Sequence, residues 1–350
     1  MSFRKTLILF AVLGLGGITF LHSLLNLHAF DRKPVVAAGA SAKFRIGFLP
    51  VTCHLTCPVT DFINKKMTGD SFFEPVRFNG FPELKEAYLS GYMPATFILA
   101  PMAMALREQG VPIKIVYLGH RDGSAVVVHK DSQIFRIEDL RGKTVAIPGR
   151  YANQRLILFR ELKAKGMKMS DLSFVEMPPP DMPAALYSKS VDAITSGEPF
   201  MGQTELDGYG RVLFQAKDSW PGFISCVLAV GEKTIQTRRA DVQKLVDGIA
   251  QSGKWIDASM AHRMDAAEFV SENYYNQNPR LLTYVLSKPP DRVTYSRLTP
   301  LRGNFEEIEM LAKEAGLLQG TAHFADYVDD SFAPEAEKMV AQAYEPPPRR

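Results

Sequence analysis

Within five residues, Cys53-His54-Leu55-Thr56-Cys57 offers two thiols and one imidazole. Thiolate and imidazole are donors that zinc and copper accept, so Cys53, His54 and Cys57 form a candidate metal set. The set lacks a fourth donor, since no second Cys-x-x-Cys and no histidine cluster stands near it in the chain. Two other chemistries suit the same residues. One is a Cys53–Cys57 disulfide, tight at this spacing. The other is plain thiols that pack or line a pocket. Thr52, Cys53 and His54 follow a short apolar stretch that breaks at Pro50, and a helical pattern begins near Leu55. Open α/β sheets place ligands at such strand ends, where the backbone N–H groups of the next helix point outward. Thr52, Cys53 and His54 are therefore candidates for one wall of a small-molecule pocket.

Four further groups have the right chemistry at comparable positions. Ala100 and Pro101 end an apolar stretch and open a helix, and offer backbone N–H groups or an apolar wall. His120, Arg121 and Asp122 lie in a polar turn, where the arginine fork suits a planar anion; a hinge ion pair explains the same residues. In Gly149-Arg150-Tyr151-Ala152-Asn153-Gln154 the glycine permits close backbone approach. Arg150 and Tyr151 stand beside it, and Asn153 and Gln154 cap the following helix or hydrogen-bond a ligand. Glu198 follows Ser196-Gly197 at another strand end, where it would hold a donor or cation, or cap the turn before Pro199.

The elements that must hold these groups alternate. Strands are expected over 44–49, 73–78, 96–99 and 113–118, with helices over 55–66, 82–90 and 102–109 between them. Short strands alternating with helices argue for a parallel sheet with right-handed crossovers. The pattern breaks at Gly119-His120-Arg121-Asp122-Gly123, an extended stretch covers 124–129, and a second alternation fills 137–214. A second extended stretch covers 223–230, and only helices are expected after it. Two αβ units separated by two extended crossings predict two lobes, a hinge pair and a ligand cleft between the lobes. The expected division is lobe one over 43–123 and 224–345, and lobe two over 124–223.

The chain has 350 residues, 46% hydrophobic and 23% charged, which is ample for two packed lobes. Its net charge of +3 is accounted for by Arg4, Lys5, Arg32 and Lys33 against Asp31, and no basic stripe interleaved with aromatics suggests nucleic acid. Residues 1–30 combine a basic start with a long apolar run, as in a signal peptide or an N-terminal membrane anchor. Residues 31–42 read as a tether. Both readings place the rest outside the cytoplasm, where three cysteines leave at least one thiol unpaired in a monomer.

Three stretches resemble the periplasmic solute-binding proteins of nitrate, sulfonate and taurine ABC transporters: LSGYMPATFILAPMAMALREQGVPIKIV over 89–116, GSAVVVHKDSQIFRIEDLRGKTVAIPG over 123–149 and FVEMPPPDMPAALYSKSVDAITSGEPF over 174–200. The resemblance covers about 44–255. It implies an α/β, two-lobed type II periplasmic-binding-protein fold with a hinge and an interlobe cleft. It also implies capture of a small solute for a membrane permease, no catalysis and no cofactor. The family usually carries an acidic residue after the glycine where this chain reads Gly91-Tyr92-Met93, and the Cys-His-x-x-Cys turn is not general to it. Both departures bear on the ligand more than on the fold. With Arg121 and two helix N-termini, an anionic, nitrate- or sulfonate-like solute is expected. An enzyme reading stands beside this one, because a relative of the same fold makes the thiamine pyrimidine precursor with a histidine and a Cys-rich iron motif. An anchored sensor is the third. A monomer that binds a small-molecule solute and docks on an ABC permease is the leading expectation.

Overall fold

The computed structural model describes residues 43–333, together with Lys5 and Gly16. Those two positions apart, the expected leader and tether lie outside the described residues, as does everything after 333. Among the described residues no helix is long and apolar enough to cross a membrane.

Strands β1 (Phe44–Phe48), β2 (Phe73–Arg77), β3 (Ala95–Leu99) and β4 (Ile113–Leu118) come first, and the short β5 (Arg121–Asp122) leads into β6 (Ser124–His129). Then follow β7 (Thr144–Ile147), β8 (Ser173–Glu176), β9 (Ala193–Gly197), β10 (Gly210–Gln215), β11 (Cys226–Gly231) and β12 (Val293–Thr294). They build two five-stranded sheets, ordered β2-β1-β3-β11-β4 and β10-β6-β9-β7-β8. Strand β3 shows why its sequence reads as one apolar run: all five residues are buried between neighbouring strands and under the helices Phe81–Leu89 and Ala100–Glu108.

The expectation of a parallel sheet needs correcting. β1 is parallel to β2 and β3, but β11 runs antiparallel to both β3 and β4. In the second sheet β7 is parallel to β8 and β9, while β6 is antiparallel to β9 and β10. In both sheets the odd strand is the one that arrives from the other sheet. It comes in at the hinge end and so runs against strands that finish there. The expectation of helices alone after 230 also fails. β12 pairs antiparallel with β5, Val293 opposite Asp122 and Thr294 opposite Arg121, and so adds a third strand segment to the crossing region.

The crossing itself is tightly sewn. The Gly119 N–H donates to Cys226 O at 3.0 Å, Asp122 N–H to Phe223 O at 2.7 Å and Gly123 N–H to Arg292 O at 2.8 Å. Gly119 is required by close approach, since a Cβ there would lie 2.1 Å from the Cys53 carbonyl oxygen. The helices Arg239–Ala258 and Met260–Val270 pack on Thr56–Thr68 and on each other, and Pro279–Ser287 packs on Met260–Val270. They bury Phe48, Leu55 and Val59 against Ile256, Val270, Leu282 and Val285. Burying each such side chain is worth about 1.5–3 kcal/mol, which fixes the base on which the first turn sits.

Candidate functional site

The chain leaves β1 through Pro50 and makes one 3-10 turn, Thr52–His54, before the helix Thr56–Thr68 starts. Two tyrosines from the C-terminal part hold that turn. The Tyr275 hydroxyl donates to Val51 O at 2.7 Å and the Tyr295 hydroxyl to Thr52 O at 2.9 Å. Thr52, Cys53 and His54 are wholly or almost wholly buried. The expected free N–H groups are partly used: Thr52 N–H donates to the Glu198 carbonyl at 2.7 Å, which ties the turn to the end of β9 in the second sheet.

The hydrogen bonds assign the two histidines. Leu49 N–H donates to His54 Nδ1 at 2.7 Å, so the ring proton sits on Nε2, which is buried and without a partner. The ring packs against Phe97 and Phe81, with centroids 5.1 and 6.1 Å away. His120, also fully buried, places Nε2 3.1 Å from Thr52 Oγ1, and that hydroxyl lies 3.2 Å from Glu198 O. Both contacts are met only when the hydroxyl donates to the carbonyl and accepts from His120 Nε2–H. His120 Nδ1 then carries a lone pair, and it is buried and unpartnered.

Cys53 Sγ lies 2.9 Å from Cys226 Sγ, at the first residue of β11, and Ser225 Oγ is 3.9 Å from Cys226 Sγ. Burial pushes the Cys53 thiol up. A hydrogen bond with Cys226 and the two imidazoles beside it outweigh burial and hold it well below its usual value. Cys226 moves the other way, raised by burial and by Cys53 beside it. Cys57 is buried in the first turn of its helix, raised by burial and by Asp61. The expected Cys53-His54-Cys57 set is therefore corrected. One ring nitrogen of His54 and the sulfurs of Cys53 and Cys226 lie within 4.8 Å of one another, and Cys57 is not in that group. Among the described residues all three cysteines are free, so the Cys53–Cys57 disulfide is not formed.

The other candidates separate into two kinds. Asn153 and Gln154, at the N-terminus of the helix Asn153–Ala164, reach the returning chain just before β11. Asn153 Nδ2 donates to Ile224 O, and Gln154 Nε2 lies 3.0 Å from Ser124 Oγ and 3.1 Å from Ser225 Oγ. Asn153 Oδ1 and Gln154 Oε1 stay buried without partners. Thr52, Cys53, His54, His120, Asn153, Gln154 and the Glu198 carbonyl thus meet where the two sheets face each other.

The remaining groups are spent on the frame. Arg121 donates from Nε to Arg297 O at 2.7 Å, from Nη1 to Gly222 O at 2.9 Å and from Nη2 to Asn304 Oδ1 at 3.2 Å, which makes it a staple of the crossing. Asp122 takes a left-handed φ of 64°, and burial raises its carboxyl against the pull of His120 and Arg121. The Glu198 carboxylate receives Arg292 Nη1 at 2.6 Å and Gly202 N–H at 2.7 Å. Its charge is matched from within the protein by Arg292. Arg150 is exposed, with its guanidinium 5.7 Å from the half-buried Tyr151 ring. Ala100 and Pro101 are buried in the first turn of Ala100–Glu108, and Ala100 belongs to the main core.

Ser225, Ser124 and Arg292 entered no sequence expectation as site residues, and Cys226 entered only the count of thiols. Cys226 had a usable signal: it stands on the second extended crossing, and a chain that returns to the first lobe brings that crossing beside the first turn. Arg292 had none, since its partners Glu198 and Glu205 lie in another part of the sequence.

Comparison with known proteins places this arrangement. The ligand-binding component of an ABC-type import system from Staphylococcus aureus, solved with zinc bound, is 26% identical, with a TM-score of 0.74 over 84% of this chain and 98% of that one. The periplasmic nitrate-binding protein NrtA of Synechocystis superposes with a TM-score of 0.75 over 87% of this chain and 89% of that one, at 14% identity. In sequence, an aliphatic sulfonates-binding protein of Escherichia coli K12 is 26% identical over 202 residues, 56% of this chain and 62% of that one. The chain spans less than two thirds of the length of the curated relatives it matches. The fold is the two-lobed periplasmic-binding-protein fold that the resemblance implies. A family model matches residues 37–271, two thirds of the sequence, and the chain belongs to the NMT1-like family.

Proposed function

We propose that the chain is the extracytoplasmic solute-binding protein of an ABC importer. It captures a small solute between its lobes and passes it to a membrane permease, as a monomer held outside the cytoplasm or anchored through residues 3–29. The observation that carries this reading is the seam between the sheets. Polar groups from both sides are buried there, and His120 Nδ1 from one side and Asn153 Oδ1 and Gln154 Oε1 from the other have no partner. Buried polar atoms cost about 1–3 kcal/mol each when unpaired, so a solute that pairs them favours the closed form. The binding proteins among the relatives above support capture over catalysis, and over the pyrimidine-synthase alternative.

Nitrate and sulfonates head the expected solutes, in keeping with the names of NrtA and the Escherichia coli relative. The seam itself adds a second class. Asn153 Oδ1 is an acceptor, because Nδ2 faces the Ile224 carbonyl, and Arg121 is committed to the crossing. Such a lining suits a small solute that brings N–H or O–H donors. Thermal unfolding of the chain with millimolar nitrate, alkanesulfonates and small amides or heterocyclic amines tests both. A micromolar ligand at millimolar concentration is expected to add about 4 kcal/mol. Stabilisation should shrink in Asn153→Ala and Gln154→Ala. A stabilising solute whose effect survives both substitutions would overturn the placement, and no stabilisation by any member of the panel would overturn the reading.

A further inference from the structure

Solute capture leaves one buried pair without a task. The Cys53 sulfur, in the first turn, lies 2.9 Å from the Cys226 sulfur at the start of β11, and neither residue is more than 1% exposed. We propose that Cys53 and Cys226 are a redox pair, closed to a disulfide by thiol–disulfide exchange, that staples the first turn to the returning crossing. The pair stands on this geometry and not on the transport reading. Only the supply of oxidant in the cell depends on that reading, since disulfides form and persist outside the cytoplasm.

The backbone brings the two residues together. Gly119 N–H donates to Cys226 O at 3.0 Å. A Cβ on Gly119 would lie 2.1 Å from Cys53 O and 3.3 Å from Cys226 O, so only a glycine lets both chains approach this closely. Bonded sulfurs stand about 2.05 Å apart, so the pair has to close by about 0.9 Å. Cys57 is outside the group that Cys53, Cys226 and His54 form. Across the seam the Cys53 sulfur faces Gly197, where a Cβ would lie 4.0 Å from it. The second sheet therefore meets the sulfur with backbone alone at that residue, and parting of the lobes opens it to an oxidant.

The two thiols are unequal, which gives the exchange a direction: Cys53 is held below its usual value and Cys226 above it. One ring nitrogen of His54 lies within 4.8 Å of both sulfurs, and its Nε2 proton is buried without a partner. An N–H steadies a thiolate and needs no lone pair to do so. The Cys53 thiolate attacks one sulfur of a small disulfide such as oxidised glutathione and expels the other half as a thiolate. Cys226 then loses its proton, attacks the Cys53 sulfur and expels the second half. One S–S bond breaks and one forms, two electrons pass to the oxidant, and the two cysteine protons end on the two released thiols. Once Cys53 is capped, its charge no longer adds to the burial that raises Cys226. The closed loop includes all of the second sheet, and a cross-link over so long a span removes much unfolded-state freedom.

The test uses the full chain, first reduced, then equilibrated with oxidised glutathione, alkylated and digested with trypsin. Digestion leaves Cys53 and Cys57 together in residues 46–65 and Cys226 in residues 218–233. The oxidised parent should lose two thiols, yield a cross-link between those two peptides within one chain, and keep Cys57 alkylated. It should also unfold about 5 °C or more above the reduced parent, a shift that reductant reverses. Cys57→Ser should behave like the parent, and Cys53→Ser and Cys226→Ser should show neither cross-link nor shift. The peptide masses come from the parent alone, so a serine variant that folds poorly leaves the test intact. Three free thiols after oxidation, or a bond through Cys57 or between two chains, would overturn the pair. A correct cross-link with no rise in unfolding temperature would overturn the staple.

Discussion

Arg292 carries more of the seam than any residue the sequence singles out. Its Nη1 reaches Glu198 Oε1 at 2.6 Å and Glu205 Oε1 at 2.8 Å, and its Nη2 reaches Glu205 Oε2 at 3.1 Å. Arg292→Met leaves two carboxylates near each other, one of them 1% exposed. Removing one partner of such a buried pair is expected to cost about 3–5 kcal/mol, read as a lower urea midpoint. Glu198→Gln should cost less, because the guanidinium keeps Glu205. The two partners shift in ways that need weighing. Burial raises the Glu198 carboxyl more than Arg292 lowers it, whereas Arg292 also moves up and stays charged at every accessible pH. Only Glu198 therefore titrates. A carboxyl whose native pKa is raised contributes stability below its unfolded value and loses it as pH climbs through the native one. The parent should lose stability relative to Glu198→Gln as pH climbs above the ordinary carboxylate value. Equal pH slopes for the two would show that Glu198 does not titrate in this window. At this scale the turn Thr52-Cys53-His54 and the pair Asn153-Gln154 are legible, because strand ends and helix starts carry recognisable residues. What is not legible is which groups are already paired. Arg121 and Glu198 look available in one dimension and are spent on partners 176 and 94 positions away.

Strands that are five or six residues long, apolar and bounded by turns are legible one by one, and their bounds fall close to the expected ones. Their direction within a sheet is not, because it depends on where the chain re-enters from the other lobe. β12 was invisible for a plainer reason: two residues carry no period. The crossing that sets these directions gives a paired test. Gly119→Ala puts a Cβ 2.1 Å from the Cys53 carbonyl oxygen, a backbone atom that cannot swing aside. It should cost about 1–3 kcal/mol, as overpacking does. Gly303→Ala, in the helix Arg302–Glu314 with nothing within 4 Å, should instead gain about 0.4–1 kcal/mol by narrowing the unfolded ensemble. Denaturant midpoints of the two variants decide it, and a neutral Gly119→Ala would mean that the turn can move away from β11 at little cost.

At the scale of the whole molecule the question is what links the two lobes away from the crossing. Part of the answer lies where the helix Arg302–Glu314 meets the helix Asn153–Ala164. Glu307 receives Arg160 Nη1 at 2.8 Å and Trp220 Nε1–H at 3.1 Å, and Glu314 receives Lys163 Nζ at 2.7 Å. Farther along the seam Asp291 pairs with Lys217. These ion pairs are partly exposed, so each is worth at most about 1 kcal/mol to folding and is screened by salt. A lever that small is poor glue but a useful bias, since the same energy shifts an open–closed balance about fivefold. Glu307→Ala is therefore expected to leave the urea midpoint nearly unchanged, to raise the radius of gyration measured by X-ray scattering, and to weaken solute binding by about two- to fivefold. Raising salt on the parent should move scattering in the same direction. A large fall in stability with unchanged scattering would instead make this contact part of one indivisible core, in which the lobes do not move as separate bodies.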